Sequence, residues 1–126
     1  MTLKRFIVTY NGQKVDWDKV YGYQCVDLYR QYCKDVLNIK QTPAVDGAKD
    51  LIYNPGELKA SNGSYAPGDV LVYGPTANNK FGHVCILVAL LDSDTFIVFE
   101  QDGLKQDGAK LNVRGKDNLL GCLYKE

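Results

Sequence analysis

Apolar positions in the first part of the chain recur at helical spacing. Leu3, Phe6, Ile7 and Tyr10 fall at i, i+3, i+4 and i+7, and Asn11-Gly12 breaks the run. From about Tyr23 to Leu37 a second stripe, Cys25, Leu28, Tyr29, Tyr32, Val36 and Leu37, predicts one amphipathic helix. A short third helix is expected over Val45 to Tyr53, ahead of Asn54-Pro55-Gly56. The texture then changes. Ala66-Pro67-Gly68-Asp69 is a turn signal, and Val70 to Tyr73 reads as the strand after it. His83 to Leu91 and Thr95 to Gln101 are rich in β-branched and aromatic residues and read as a hairpin. Leu119 to Tyr124 is a last short strand, and Gly103 to Gly115 reads as a polar loop or hairpin. Helices followed by strands predict an α+β fold with a mostly antiparallel sheet, in one domain over residues 1–126.

Composition narrows the function. Lys and Arg total 15 and Asp and Glu total 15, so the net charge is zero and a general nucleic-acid binder is excluded. With 45% hydrophobic residues the chain can build a core. The longest apolar run, Val84 to Leu91, is far short of the ~20 residues that span a bilayer. The first residues lack the apolar length of a secretory leader, so the protein is expected in the cytoplasm when made, unless a leader lies outside this sequence. One histidine and four cysteines without a C-x-x-C pair argue against a zinc finger. Three of the cysteines are expected to be core thiols.

The remaining thiol and the histidine suggest chemistry. Cys25 opens the second helix, where the positive end of the helix dipole favours a thiolate, although burial on the apolar stripe explains it equally well. His83 follows Gly82 and begins a strand. A two-residue loop at Asp92-Ser93 would pair Leu91 with Asp94, placing His83 opposite Asp102 and Cys85 opposite Glu100 on one sheet face. Glu100 then lies diagonally within reach of His83. A three-residue loop would turn His83 away from Asp102's face. A thiol at a helix start, an imidazole and an orienting acid are the parts of a cysteine hydrolase.

These residues resemble a known family. Gln24-Cys25-Val26-Asp27-Leu28 is similar to the nucleophile motif of CHAP domains, the cysteine, histidine-dependent amidohydrolases/peptidases of bacterial cell-wall hydrolases. Pro67-Gly68-Asp69-Val70, Gly82-His83-Val84 and Phe99-Glu100-Gln101-Asp102 resemble its later motifs in the same order. The similarity is to the CHAP domains of phage endolysins and virion-associated lysins of Gram-positive hosts. It implies a papain-like fold (the NlpC/P60 type) and cleavage of an amide bond in peptidoglycan, by an endopeptidase or an N-acetylmuramoyl-L-alanine amidase. It gives Cys25 the role of nucleophile, His83 that of base and then acid, and Glu100 that of orienting His83. Asp102 stands where the family often has Asn, and either favours the imidazolium or is a bystander. Such a protein would act on the cell wall as a monomer, without membrane insertion, from the host cytoplasm or the virion.

A second feature precedes Cys25. Asp16, Asp18, Val20, Gly22 and Asp27 occupy the first, third, fifth, seventh and twelfth positions of an EF-hand-like spacing, which would offer oxygens to Ca²⁺. An acidic turn with Asp18 as helix cap is the alternative. Some phage CHAP domains carry calcium just before the nucleophile, so the resemblance implies a structural Ca²⁺ here. Trp17, Tyr21, Tyr23 and Tyr73 are candidates to line a substrate groove or to pack in the core, and Asn78-Asn79-Lys80 to border the cleft. The rival function from another class is a non-catalytic, calcium-stabilised wall-binding or virion structural module.

Overall fold

The computed structural model describes residues 1–17, 24–102 and 107–126. Helix α1 spans Leu3–Tyr10 and helix α2 spans Cys25–Asp35. Thr2 caps α1 by accepting from the Arg5 amide at 3.1 Å. The helix expected over Val45 to Tyr53 is a single 3₁₀ segment, Ala48–Ile52. Six strands follow: β1 (Lys59–Ser61), β2 (Val70–Tyr73), β3 (His83–Asp92), β4 (Thr95–Gln101), β5 (Ala109–Gly115) and β6 (Leu119–Tyr124). They form one antiparallel sheet in the order β1-β6-β2-β3-β4-β5. The architecture is α+β and papain-like, as expected.

Strand alternation gives the sheet two buried faces. Val70, Val72, Val84, Ile86 and Phe99 turn toward the helices and meet Phe6, Leu28, Tyr29, Tyr32 and Leu51. Phe6 is the hinge pin of this layer, edge-on to Tyr32 at 5.2 Å and to Phe99 at 6.0 Å. The alternate residues Leu71, Tyr73, Cys85, Leu87, Phe96, Val98 and Cys122 form a second cluster on the opposite face. Cys33, Cys85 and Cys122 are buried, as expected of core thiols, and Cys25 is only half-buried.

The β3–β4 hairpin reaches the expected register by a different route. Its tip is Ser93-Asp94, flanked by the pair Asp92–Thr95, so the loop sits one residue later than expected. Register shifts between Leu87 and Ala89 and between Leu90 and Asp92 then restore the pairs Leu87–Val98 and Ile86–Phe99. Those are the pairs that the Asp92-Ser93 loop would have given. The stretch from Gly103 to Gly115, expected as a polar loop or hairpin, contains a strand, β5, which pairs with the whole of β4.

Candidate active site

His83 begins β3 directly across from Tyr73 on β2. The turn before it depends on glycine. Gly82 has φ +77°, and a Cβ there would lie 2.5 Å from the Tyr73 carbonyl and 2.8 Å from the Lys49 side chain. Asn79 braces the same turn, donating to the Gly82 carbonyl at 2.8 Å and accepting from the Phe81 amide at 3.0 Å. Asn79 therefore fixes the base of this strand from behind.

Glu100 lies near the end of β4, on the His83 face, and is 2% exposed. Its Oε1 lies 3.1 Å from His83 Nε2. Asn112 and Arg114, both on β5, also donate to this carboxylate. Cys25, the first residue of α2, is close enough to His83 to raise the pKa of its imidazole. With Nε2 turned to Glu100, Nδ1 is the nitrogen left for the thiol. Three of the four expected catalytic residues are thus in one line: thiol, imidazole, carboxylate. The fourth, Asp102, follows β4 half-buried, and its charge acts on Lys110 of β5.

The electrostatics follow from the contacts. Burial alone would lower the His83 pKa, but hydrogen bonds with Cys25 and Glu100 outweigh it and hold the imidazole at about 9. Burial would raise Glu100, yet the bonds from His83 and Arg114, the His83 charge and the Asn112 amide bring it down to about 2. At neutral pH the arrangement favours an imidazolium beside an ionised carboxylate. Cys85 adjoins this pair, its sulfur within 4.8 Å of the His83 and Glu100 ligand atoms. A metal ion there would have to compete with the Arg114 guanidinium for Glu100.

The Cys25 side is held by Gln101, which was not among the expected site residues. Gln101 is fully buried and faces the helices. Its Oε1 accepts from the Val15 amide at 2.8 Å, and its Nε2 donates to the carbonyls of Val15 at 2.7 Å and Gln24 at 2.9 Å. One side chain thus ties both ends of the segment leading to Cys25 onto β4. The signal was available: a glutamine in the core-facing phase of an otherwise apolar strand must find buried partners.

Of the five expected calcium ligands, Asp18, Val20 and Gly22 lie outside the described residues, as do Tyr21 and Tyr23. Asp16 and Asp27 are described. Asp16 Oδ1 is buried without a hydrogen-bond partner among the described residues, an arrangement that suits a cation. Asp27 is 3% exposed, and its Oδ2 accepts from the Gln24 amide at 2.8 Å, capping α2. Trp17 is half-buried under the Lys34 ammonium, 5.3 Å from its ring. Tyr73 is buried in the second core cluster.

The sequence matches the CHAP domain family over residues 14–102, a span that holds Cys25, His83 and Glu100. The chain belongs to the CHAP domain family. The fold of this CHAP domain is similar to solved structures. A wild-type endolysin, LysIME-EF1, superposes with a TM-score of 0.79 at 19% identity, covering 99% of this chain and 64% of that one. Ly7917 gives 0.74 at 15%, covering 99% and 62%. Ly7917 with the hydrolyzing product of MDP gives 0.69 at 19%, covering 95% and 60%. The chain therefore spans less than two thirds of the length of these neighbours. No curated protein matches it. Among the described residues no helix is long and apolar enough to cross a membrane.

Proposed function

We propose that this CHAP domain is a peptidoglycan hydrolase that cleaves an amide bond through Cys25, His83 and Glu100, as the catalytic part of a phage lysin. The observation that carries this reading is the position of His83, 3.1 Å from the Glu100 carboxylate and close enough to the Cys25 thiol for it to raise the imidazole's pKa. Family membership and the endolysin-like fold support the substrate class.

The chemistry follows from that line. The Cys25 thiolate attacks the carbonyl carbon of the scissile amide while His83 holds the thiol's proton on Nδ1. Main-chain N–H groups near Cys25 would stabilise the oxyanion. His83 gives its proton to the departing amine, and the C–N bond breaks, leaving a thioester on Cys25. A water molecule, deprotonated by His83, then attacks the thioester, releasing the acid and restoring the thiol. Glu100 keeps its charge throughout, fixing the ring and stabilising the imidazolium.

Asp16, Asp18, Val20, Gly22 and Asp27 would hold Ca²⁺, which would brace the segment presenting Cys25. The unpartnered Asp16 oxygen supports this reading. Chelation by EDTA should lower both the melting temperature and the rate of hydrolysis, with recovery on adding Ca²⁺. No change in either contradicts the calcium assignment.

Digestion of purified peptidoglycan from several Gram-positive species, with the new termini identified by mass spectrometry, tests the function. A free lactyl carboxylate on muramic acid marks an amidase, and a new amine within the stem or bridge marks an endopeptidase. The absence of new termini from every substrate contradicts the reading.

A further inference from the structure

The line of Cys25, His83 and Glu100 leaves two contacts on Glu100 without a role. Arg114 grips the carboxylate with both arms, Nε donating to Oε1 and Nη2 to Oε2 at 3.2 Å. Asn112, two residues earlier on the same face of β5, donates to Oε2 at 2.9 Å. With His83 on Oε1, both carboxylate oxygens are occupied and the plane of the group is fixed. The guanidinium is itself backed by the Tyr73 ring at 5.6 Å. The Tyr73 hydroxyl donates to the carbonyl of Gly115, the residue after Arg114, at 2.8 Å. Tyr73 is also the strand partner of His83, so the contacts close a loop from His83 through Glu100, Arg114 and Tyr73 back to His83.

We propose that Arg114, assisted by Asn112, is a positioning residue that holds Glu100 ionised and aimed at His83 Nε2. The inference rests on the hydrolase reading above and adds to it a clamp from the neighbouring strand. The physical need is clear. A buried carboxylate without a counter-charge protonates or turns toward water, and in either state it no longer orients the imidazole. Arginine fits this task where lysine does not, because its planar fork meets both oxygens at once.

The chain contains one histidine, so a single imidazole Cε1–H resonance reports its titration by NMR. In R114M the midpoint of His83 should fall by roughly one unit, a tenfold change in the proton equilibrium. R114K keeps the charge but loses the fork, and should show a smaller fall. It carries the test should R114M fail to fold. N112A, at an exposed edge-strand position, should shift the midpoint in the same direction by less. On peptidoglycan, kcat of R114M should drop roughly 10- to 100-fold with KM little changed, as for other residues that orient a functional imidazole. A midpoint that stays or rises overturns the proposal, because loss of a neighbouring positive charge alone would raise it. The titration needs no substrate. A shifted midpoint in a protein that cuts no peptidoglycan keeps the clamp and removes the hydrolase reading. An unshifted midpoint in an active protein does the reverse.

Discussion

The two sides of the catalytic line are held in place by different means. On the sheet side, His83 pairs with Tyr73 of β2 and Glu100 with Lys110 of β5, on the neighbouring strands β3 and β4, and Glu100 is gripped again from β5. Backbone pairing and a charge network share the task there. On the helix side, Cys25 follows a segment whose described anchors are the three hydrogen bonds of Gln101 and the Asp27 cap. The difference separates a side held by strand pairing and charge from one held by the apolar packing of α2, with a few polar contacts fixing the segment before it.

Breaking the helix-side anchor should have the largest effect of the perturbations that leave the reacting groups intact. Gln101→Leu removes all three bonds and strands the Val15 amide and carbonyl in a buried setting, while the Gln24 carbonyl keeps the Asp27 amide. The expected destabilisation is ~2–6 kcal/mol, since each of the two unsatisfied buried groups costs about 1–3 kcal/mol. Thermal unfolding measures it, and hydrolysis should fall with it. An unchanged melting temperature would mean that the segment is anchored elsewhere.

The sheet side is probed by pH. The His83 pKa is raised to about 9 by its bonds to Cys25 and Glu100, so the ion pair is complete below the ordinary histidine range and is lost as pH rises through about 9. The alkaline limb of kcat/KM should therefore lie near pH 9. Glu100 runs the other way. Its pKa is lowered to about 2, so its stabilising contribution is present above the ordinary carboxylate value and is lost as pH falls toward 2. Acid unfolding monitored by circular dichroism should be steepest in that window, and earlier in Glu100→Gln.

The smallest effect is expected at Asp102. Its charge acts on Lys110, and Glu100 already occupies Nε2 of His83. Asp102→Asn should change kcat less than threefold, and a loss as large as that of R114M would move Asp102 into the positioning network.

The same contrast governs what could be read from the sequence. β2, β4 and β6 match their expected bounds because their apolar residues are buried, and the motifs carrying Cys25, His83 and Glu100 fall on strongly patterned elements. β5 reads from the sequence only as a polar loop or hairpin because its pattern is inverted at the sheet edge. Leu111 and Val113 are 51% and 55% exposed, while the polar Asn112 and Arg114 turn toward Glu100. A strand whose polar residues face the site looks like a loop. β1 escaped because three residues carry too little pattern to detect. Gln101 was visible only as the spacer after Glu100, since its value depends on a segment far away in the chain.

The most direct test is hydrolysis of purified peptidoglycan by Cys25→Ala beside the unaltered protein, with both folds checked by circular dichroism. The unaltered chain should release new termini and the variant none, at equal secondary structure. Undiminished hydrolysis by Cys25→Ala would contradict it.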